Sequence, residues 1–177
     1  KNADTPLVAA SLVKLMTCIL LIEHAQNLDT ETVTAEQWVF DQLYGKNASH
    51  ADIRTGETLT IRELLYAMLL PSANEAALMS AGYVSGGNLN NFLFQMHARA
   101  EGLGCTGTTF TDPNGLSEQN MVTARDAALI MRAFLSYPEL VEIAGTPSYE
   151  MAAHEKHGEP YFITSTNRLL ATTSPYY

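Results

Sequence analysis

Lys14 is out of place among its neighbours. Between Asp4 and Glu23 it is the only charged residue, set within the run Ala9-Ala-Ser-Leu-Val-Lys-Leu-Met-Thr-Cys-Ile-Leu-Leu-Ile. An ammonium drawn into apolar surroundings loses hydration, so it must pair, snorkel outward or titrate downward. Ser11 stands three residues earlier. At helical spacing that puts hydroxyl and amine on one face, with Cβ atoms about 5–6 Å apart. A serine hydroxyl is a weak nucleophile until a base takes its proton, and a desolvated lysine can be neutral enough to do so. A serine at a helix start also sits where free N–H groups favour developing negative charge. Ser-x-x-Lys therefore reads as an activated nucleophile suited to acyl transfer. The plainer alternative is a capping Ser11 and a snorkelling Lys14.

A second constellation is Leu69-Leu-Pro-Ser-Ala-Asn-Glu-Ala-Ala-Leu-Met. Ser72 could relay a proton between Lys14 and a leaving amine. Asn74 could both donate to and accept from a substrate peptide group. Here the plainer alternative is a helix N-cap supplied by Ser72 or Asn74.

The elements around these residues read mostly as helices. Apolar spacing predicts a helix from Ser11 to about Gln26, with no Gly or Pro inside it. Asp29 to Ala35, rich in Thr and Val, reads as extended. Ala35 to Leu43 reads as a short helix or an irregular segment, and Gly45 to Gly56 as a polar loop. Thr60, with Glu63 three residues on, predicts a capping box opening a helix over 61–70, which Pro71 ends. Further helices are expected from Ser72–Asn74 to about Val84, from Asn88 to Glu101, from Thr123 to Phe134, and from Pro138 to about Ala144. Asp112-Pro113-Asn114-Gly115 is a turn signal. After Thr146 the chain reads as extended and loop-like to its end. Met68, Met79 and Met96 read as core and His24 as structural. Arg125-Asp126 reads as a charge pair at a helix start.

Composition removes several classes. The 177 residues carry a formal charge of −9 and 16% charged side chains, without a basic cluster, which argues against a nucleic-acid partner. The apolar run at Leu15–Ile22 is far short of the ~20 residues a membrane span needs, and the polar start is not a signal peptide. Cys18 and Cys105 are too few for a disulfide framework. His154-Glu-Lys-His157 could suggest a metal site, but a loop of mixed charge is the reading preferred here.

Three stretches then carry a family likeness. They are Asn2-Ala-Asp-Thr-Pro-Leu-Val-Ala-Ala-Ser-Leu-Val-Lys-Leu-Met-Thr, the block from Gly56 through Leu70-Pro-Ser-Ala-Asn-Glu-Ala-Ala, and Asp112-Pro-Asn-Gly-Leu116. Leu103-Gly104, Thr109-Phe110, Thr123-Ala-Arg-Asp126 and Ser165-Thr-Asn-Arg-Leu-Leu170 add to them. On these residues the chain resembles the low-molecular-mass penicillin-binding proteins, the serine-type D-Ala-D-Ala carboxypeptidases. The resemblance implies an α/β (α+β) serine β-lactamase/transpeptidase-like fold. Residues 1–177 would form one partial catalytic domain, mainly α-helical, with most sheet strands outside it. It implies Ser11 as nucleophile, Lys14 as its base, Ser72 in proton transfer and Asn74 in substrate binding, without metal or cofactor. Peptidoglycan stem peptides would be the substrates and β-lactam antibiotics covalent inhibitors, acting outside the cytoplasm. Membrane association would require a segment these residues do not contain.

Val13 and Ala73 stand where the family often has Thr and Gly. The family's Lys-Thr-Gly strand and the N-terminal strand pair are missing from these residues, so this chain alone is expected to be a weak catalyst. Two alternatives are a class A-like β-lactamase and a non-catalytic cell-wall binding protein. Glu118-Gln-Asn120 has the wrong spacing for the deacylating Glu-x-x-x-Asn pattern of the former.

Overall fold

Residues 2–170 are described by the structure, a computed structural model. Its centre is helix α4, Asn74–Ser85, which buries every residue from Asn74 to Ala81. A helix buried on all sides, with only Asn74, Glu75 and Ser80 polar between Asn74 and Ala81, is an interior one. Around it pack α1 (Val13–His24), α2 (Gln37–Leu43), α3 (Ile61–Leu69) and α5 (Leu89–Gly102). α6 (Ala124–Phe134) lies against α1, and α7 (Pro138–Ala144) against α3. Met16, Ile19, Leu64, Leu65, Met68, Met79, Phe92 and Met96 fill the space between them. Removing such side chains from water is worth roughly 1.5–3 kcal/mol each.

Local chemistry sets the boundaries. Thr60 Oγ1 accepts the Glu63 N–H at 3.2 Å while Glu63 Oε2 accepts the Thr60 N–H at 2.8 Å, a reciprocal capping box at α3. Pro71 follows the end of that helix. Gly86, at φ +63°, closes α4 in the left-handed conformation that glycine adopts freely. Thr123 Oγ1 caps α6 by accepting from Asp126 N. The segment read as helix-or-irregular is α2, and the loop read over 45–56 forms as a loop.

Strands are short and antiparallel. β1 (Leu7–Val8) pairs with β4 (Met121–Val122), and β2 (Thr32–Thr34) with β3 (Thr58–Thr60). The stretch after Thr146 forms a hairpin of β5 (Ser148–Met151) and β6 (Tyr161–Thr164), with Tyr149 opposite Ile163. Tyr149 stacks on Tyr66 of α3 at 3.7 Å, fastening the hairpin to the helical core. The extended path expected for residues 171–177 lies outside the described residues.

Three sequence expectations are corrected. The helix expected from Ser11 starts at Val13; Ser11 occupies a 3₁₀ turn over Ala10–Leu12 and caps nothing. Ser72 and Asn74 do not cap α4, whose N-cap position is Ala73 without a side-chain bond. Arg125 pairs with Asp4 at 2.6 Å, while Asp126 accepts the Gly107 N–H and the Thr108 hydroxyl. Both cysteines are free thiols, and no described helix is long and apolar enough to cross a membrane.

Candidate active site

The four predicted residues come together, three of them in one cleft and Asn74 buried behind Lys14. Lys14 projects from the first turn of α1 and is 3% exposed. Its Nζ donates to Ser11 Oγ at 3.5 Å, to Asn74 Oδ1 at 3.1 Å and to the Asn114 carbonyl at 2.7 Å. From the other side Ser72 Oγ donates to Ser11 Oγ at 3.1 Å. Asn74 spends its amide N–H on the Ser49 carbonyl at 2.8 Å, which fixes its oxygen toward the lysine. The cleft, about 370 Å³, is lined by Ser11, Lys14, Ser72 and Thr166 among others. Thr166 is held there by its N–H, which donates to the Leu70 carbonyl at 3.1 Å.

The backbone around both serines is constrained. Ala10, just before Ser11, has φ +46°, and Ser72 has φ +62°. Such conformations cost a residue with a side chain of order 1–3 kcal/mol and persist only where surroundings impose them. Around Ser11 the surroundings include the 112–117 turn. A Cβ on Gly115 would lie 2.0 Å from the Ala10 carbonyl oxygen and 3.0 Å from Ser11 N, so only glycine lets the turn approach this closely.

Burial is the main influence on Lys14 and pulls its pKa down from 10.5 to about 8. Nearby groups able to carry negative charge, Cys18, Asp112 and Glu75, act in the opposite direction. The Cys18 thiol is itself pushed up to about 12 by burial, so it is uncharged where Lys14 titrates. Asp112 and Glu75 are the carboxyl groups near the amine. An amine with this value is neutral in a useful fraction at mildly alkaline pH, and in that form can accept a proton from a hydroxyl beside it.

Sequence reasoning missed the contributions of Asn114 and Gly115. The Asp112-Pro-Asn-Gly turn signal was visible, but its use as the back wall of the lysine pocket was not. The His154–His157 segment lies elsewhere. His157 bridges Glu57 (2.5 Å) and Asp52 (2.9 Å), and no described cluster of three or more His, Cys, Asp or Glu is placed to hold a metal.

Comparison with known proteins identifies the family and the fold. The D-alanyl-D-alanine carboxypeptidase family profile matches residues 1–176. D-alanyl-D-alanine carboxypeptidase DacF of Bacillus subtilis is 29% identical, over 96% of this chain and 43% of its own length. A D-alanyl-D-alanine endopeptidase of Pseudomonas aeruginosa is 31% identical, over 86% and 47% respectively. The chain spans about half the length of these curated relatives. The crystal structure of a Streptomyces DD-transpeptidase superposes with a TM-score of 0.89 at 28% identity, covering 98% of this chain and 70% of that one. The fold is therefore that of the penicillin-binding DD-peptidases, of which these residues form a helix-rich part.

Proposed function

From the premise that this chain belongs to the D-alanyl-D-alanine carboxypeptidase family, we propose that the intact protein removes the terminal D-alanine from peptidoglycan stem peptides through a serine acyl-enzyme. Ser11 attacks the penultimate D-alanine carbonyl as Lys14 takes the hydroxyl proton. The scissile C–N bond breaks as the amine of the departing D-alanine receives a proton relayed through Ser72. Water then attacks the Ser11 ester, regenerating the hydroxyl and releasing the shortened peptide. Asn74, the residue the resemblance assigns to substrate binding, holds Lys14 in place through its side-chain oxygen. β-Lactams would acylate Ser11 by the same steps. Because peptidoglycan lies outside the cytoplasm, so would the enzyme's site of action.

One observation carries this reading: a buried amine with a lowered pKa lies within reach of Ser11 Oγ, while a second hydroxyl contacts that same oxygen. We read residues 1–177 as a partial catalytic domain completed by a Lys-Thr-Gly strand, which would bind the substrate carboxylate and help form an oxyanion hole. Acylation of these residues alone should accordingly be slow.

The test is mass spectrometry of the intact protein after exposure to penicillin, alongside release of D-alanine from a D-Ala-D-Ala peptide. An adduct on Ser11 and D-alanine release, both lost in Ser11→Ala, are expected. Rapid turnover of the penicilloyl group would favour a β-lactamase. Labelling that survives Ser11→Ala would favour a binding protein without this chemistry.

A further inference from the structure

The turn that backs Lys14 is organised by one carboxylate. Asp112 Oδ1 accepts the backbone N–H of Asn114 (3.1 Å) and of Gly115 (2.6 Å), and the side-chain amide of Asn120 (3.0 Å). Its other oxygen accepts the Ser117 N–H at 2.6 Å. With three backbone donors and one side-chain donor satisfied by one group, the turn has little freedom to reorient. Two of its carbonyls consequently face α1. Asn114 O takes the Lys14 ammonium at 2.7 Å, and Pro113 O takes the Thr17 hydroxyl at 2.6 Å. Asn120 joins the same unit to the nucleophile turn, its carbonyl accepting the Ala9 N–H at 2.8 Å.

We propose that Asp112 is a positioning residue for the chemistry at Ser11. It shapes the 112–117 turn so that the Asn114 carbonyl holds the Lys14 amine beside the serine hydroxyl. The inference rests on the proposed acylation of Ser11 and deepens it. Asp112 also acts through space. Three titratable groups face Lys14: Cys18 from its own helix, Asp112 from the turn and Glu75 from α4. Cys18 is uncharged in the relevant range, and burial raises the Glu75 carboxyl toward its neutral form. Asp112 thus opposes the downward pull of burial on Lys14.

The two effects are separable. Asp112→Asn removes the charge and turns an N–H donor toward Ser117 N or the other amides. Asp112→Glu keeps the charge but displaces the oxygens by a methylene. The experiment measures the rate of fluorescent-penicillin incorporation into the intact protein against pH, with thermal unfolding of each variant. Wild type should show a rate that rises with pH to a plateau. Asp112→Asn should lower that plateau about tenfold and move the midpoint to lower pH by roughly half a unit or more. Asp112→Glu should lower the plateau with its midpoint close to wild type, and it carries the test should the Asn variant not fold. Plateaus and midpoints unchanged in both variants would overturn the inference while leaving the acyl-enzyme reading intact. Loss of rate and thermal stability with no midpoint shift in Asp112→Asn would assign a purely structural role and also overturn it. Failure of wild type to be labelled on Ser11 would remove the acyl-enzyme reading, and this inference with it.

Discussion

Gly115→Ala should silence Ser11 without touching any group that reacts. The added methyl would sit 2.0 Å from the Ala10 carbonyl oxygen, 2.5 Å from its carbon and 3.0 Å from Ser11 N, all of them backbone atoms. Ordinary carbon–oxygen contacts lie near 3.3 Å, so the two turns must separate by about 1 Å or more. At φ +84° the substitution also introduces left-handed strain of about 1–2 kcal/mol. Adding roughly 1–3 kcal/mol for overpacking, the expected loss of stability is about 2–5 kcal/mol. A displacement of ~1 Å at a nucleophile costs on the order of 10²-fold in rate. Gly86→Ala is the matched control, since Gly86 has φ +63° with nothing within 4 Å of the new methyl. It should lose about 1 kcal/mol and acylate normally. Stopped-flow incorporation of a fluorescent penicillin into both intact variants, with their melting temperatures, measures each quantity. A folded Gly115→Ala protein that acylates within about threefold of wild type would refute the claim that this contact aligns Ser11.

Other consequences follow from named groups. Acylation should rise about tenfold per pH unit below about 8 and level off above it, because only the neutral Lys14 amine accepts the serine proton. Lys14→Arg, which cannot deprotonate, should lose on the order of 10³-fold; a pH-independent wild-type rate would contradict this assignment. Thr60→Ala removes half of the capping box and should cost about 1 kcal/mol in urea unfolding, with acylation unchanged. At His157, burial lowers the pKa, but hydrogen bonds to Asp52 and Glu57 outweigh it and leave the value raised. Its stabilising contribution is therefore complete below the unfolded value and lost as pH rises through the folded one. His157→Gln should destabilise more near pH 5.5 than near pH 8.5, and equal losses at both would count against the pairing.

The helices were readable because their signals are local. The capping box at Thr60, the break at Pro71 and the apolar periodicity of α1, α3 and α5 each depend on residues a few positions apart. The lone charge of Lys14 in an apolar run correctly announced a buried amine. What the sequence could not state was how the backbone presents the serines. Ser11 and Ser72 were read as helix starts, yet both stand just before their helices, beside or within left-handed residues that neighbouring segments impose. The role of 112–115 was hidden for a similar reason. Asp-Pro-Asn-Gly prescribes a turn, but the fact that its carbonyls face Lys14 and Thr17 depends on pairings about a hundred residues apart. The ion pair of Arg125 with Asp4 is equally distant and equally silent in the sequence.

The reacting constellation is assembled from residues 11–14, 72–74 and 112–115, joined only through the packing of α1 against α4 and the turn. No single segment holds more than the Ser11–Lys14 pair once that packing loosens, even if every helix persists. Penicillin labelling of such a protein is thus a gauge of tertiary order. On warming or in mild denaturant, covalent incorporation should fade ahead of the helical circular-dichroism signal, marking the moment when three distant stretches of chain cease to share a pocket.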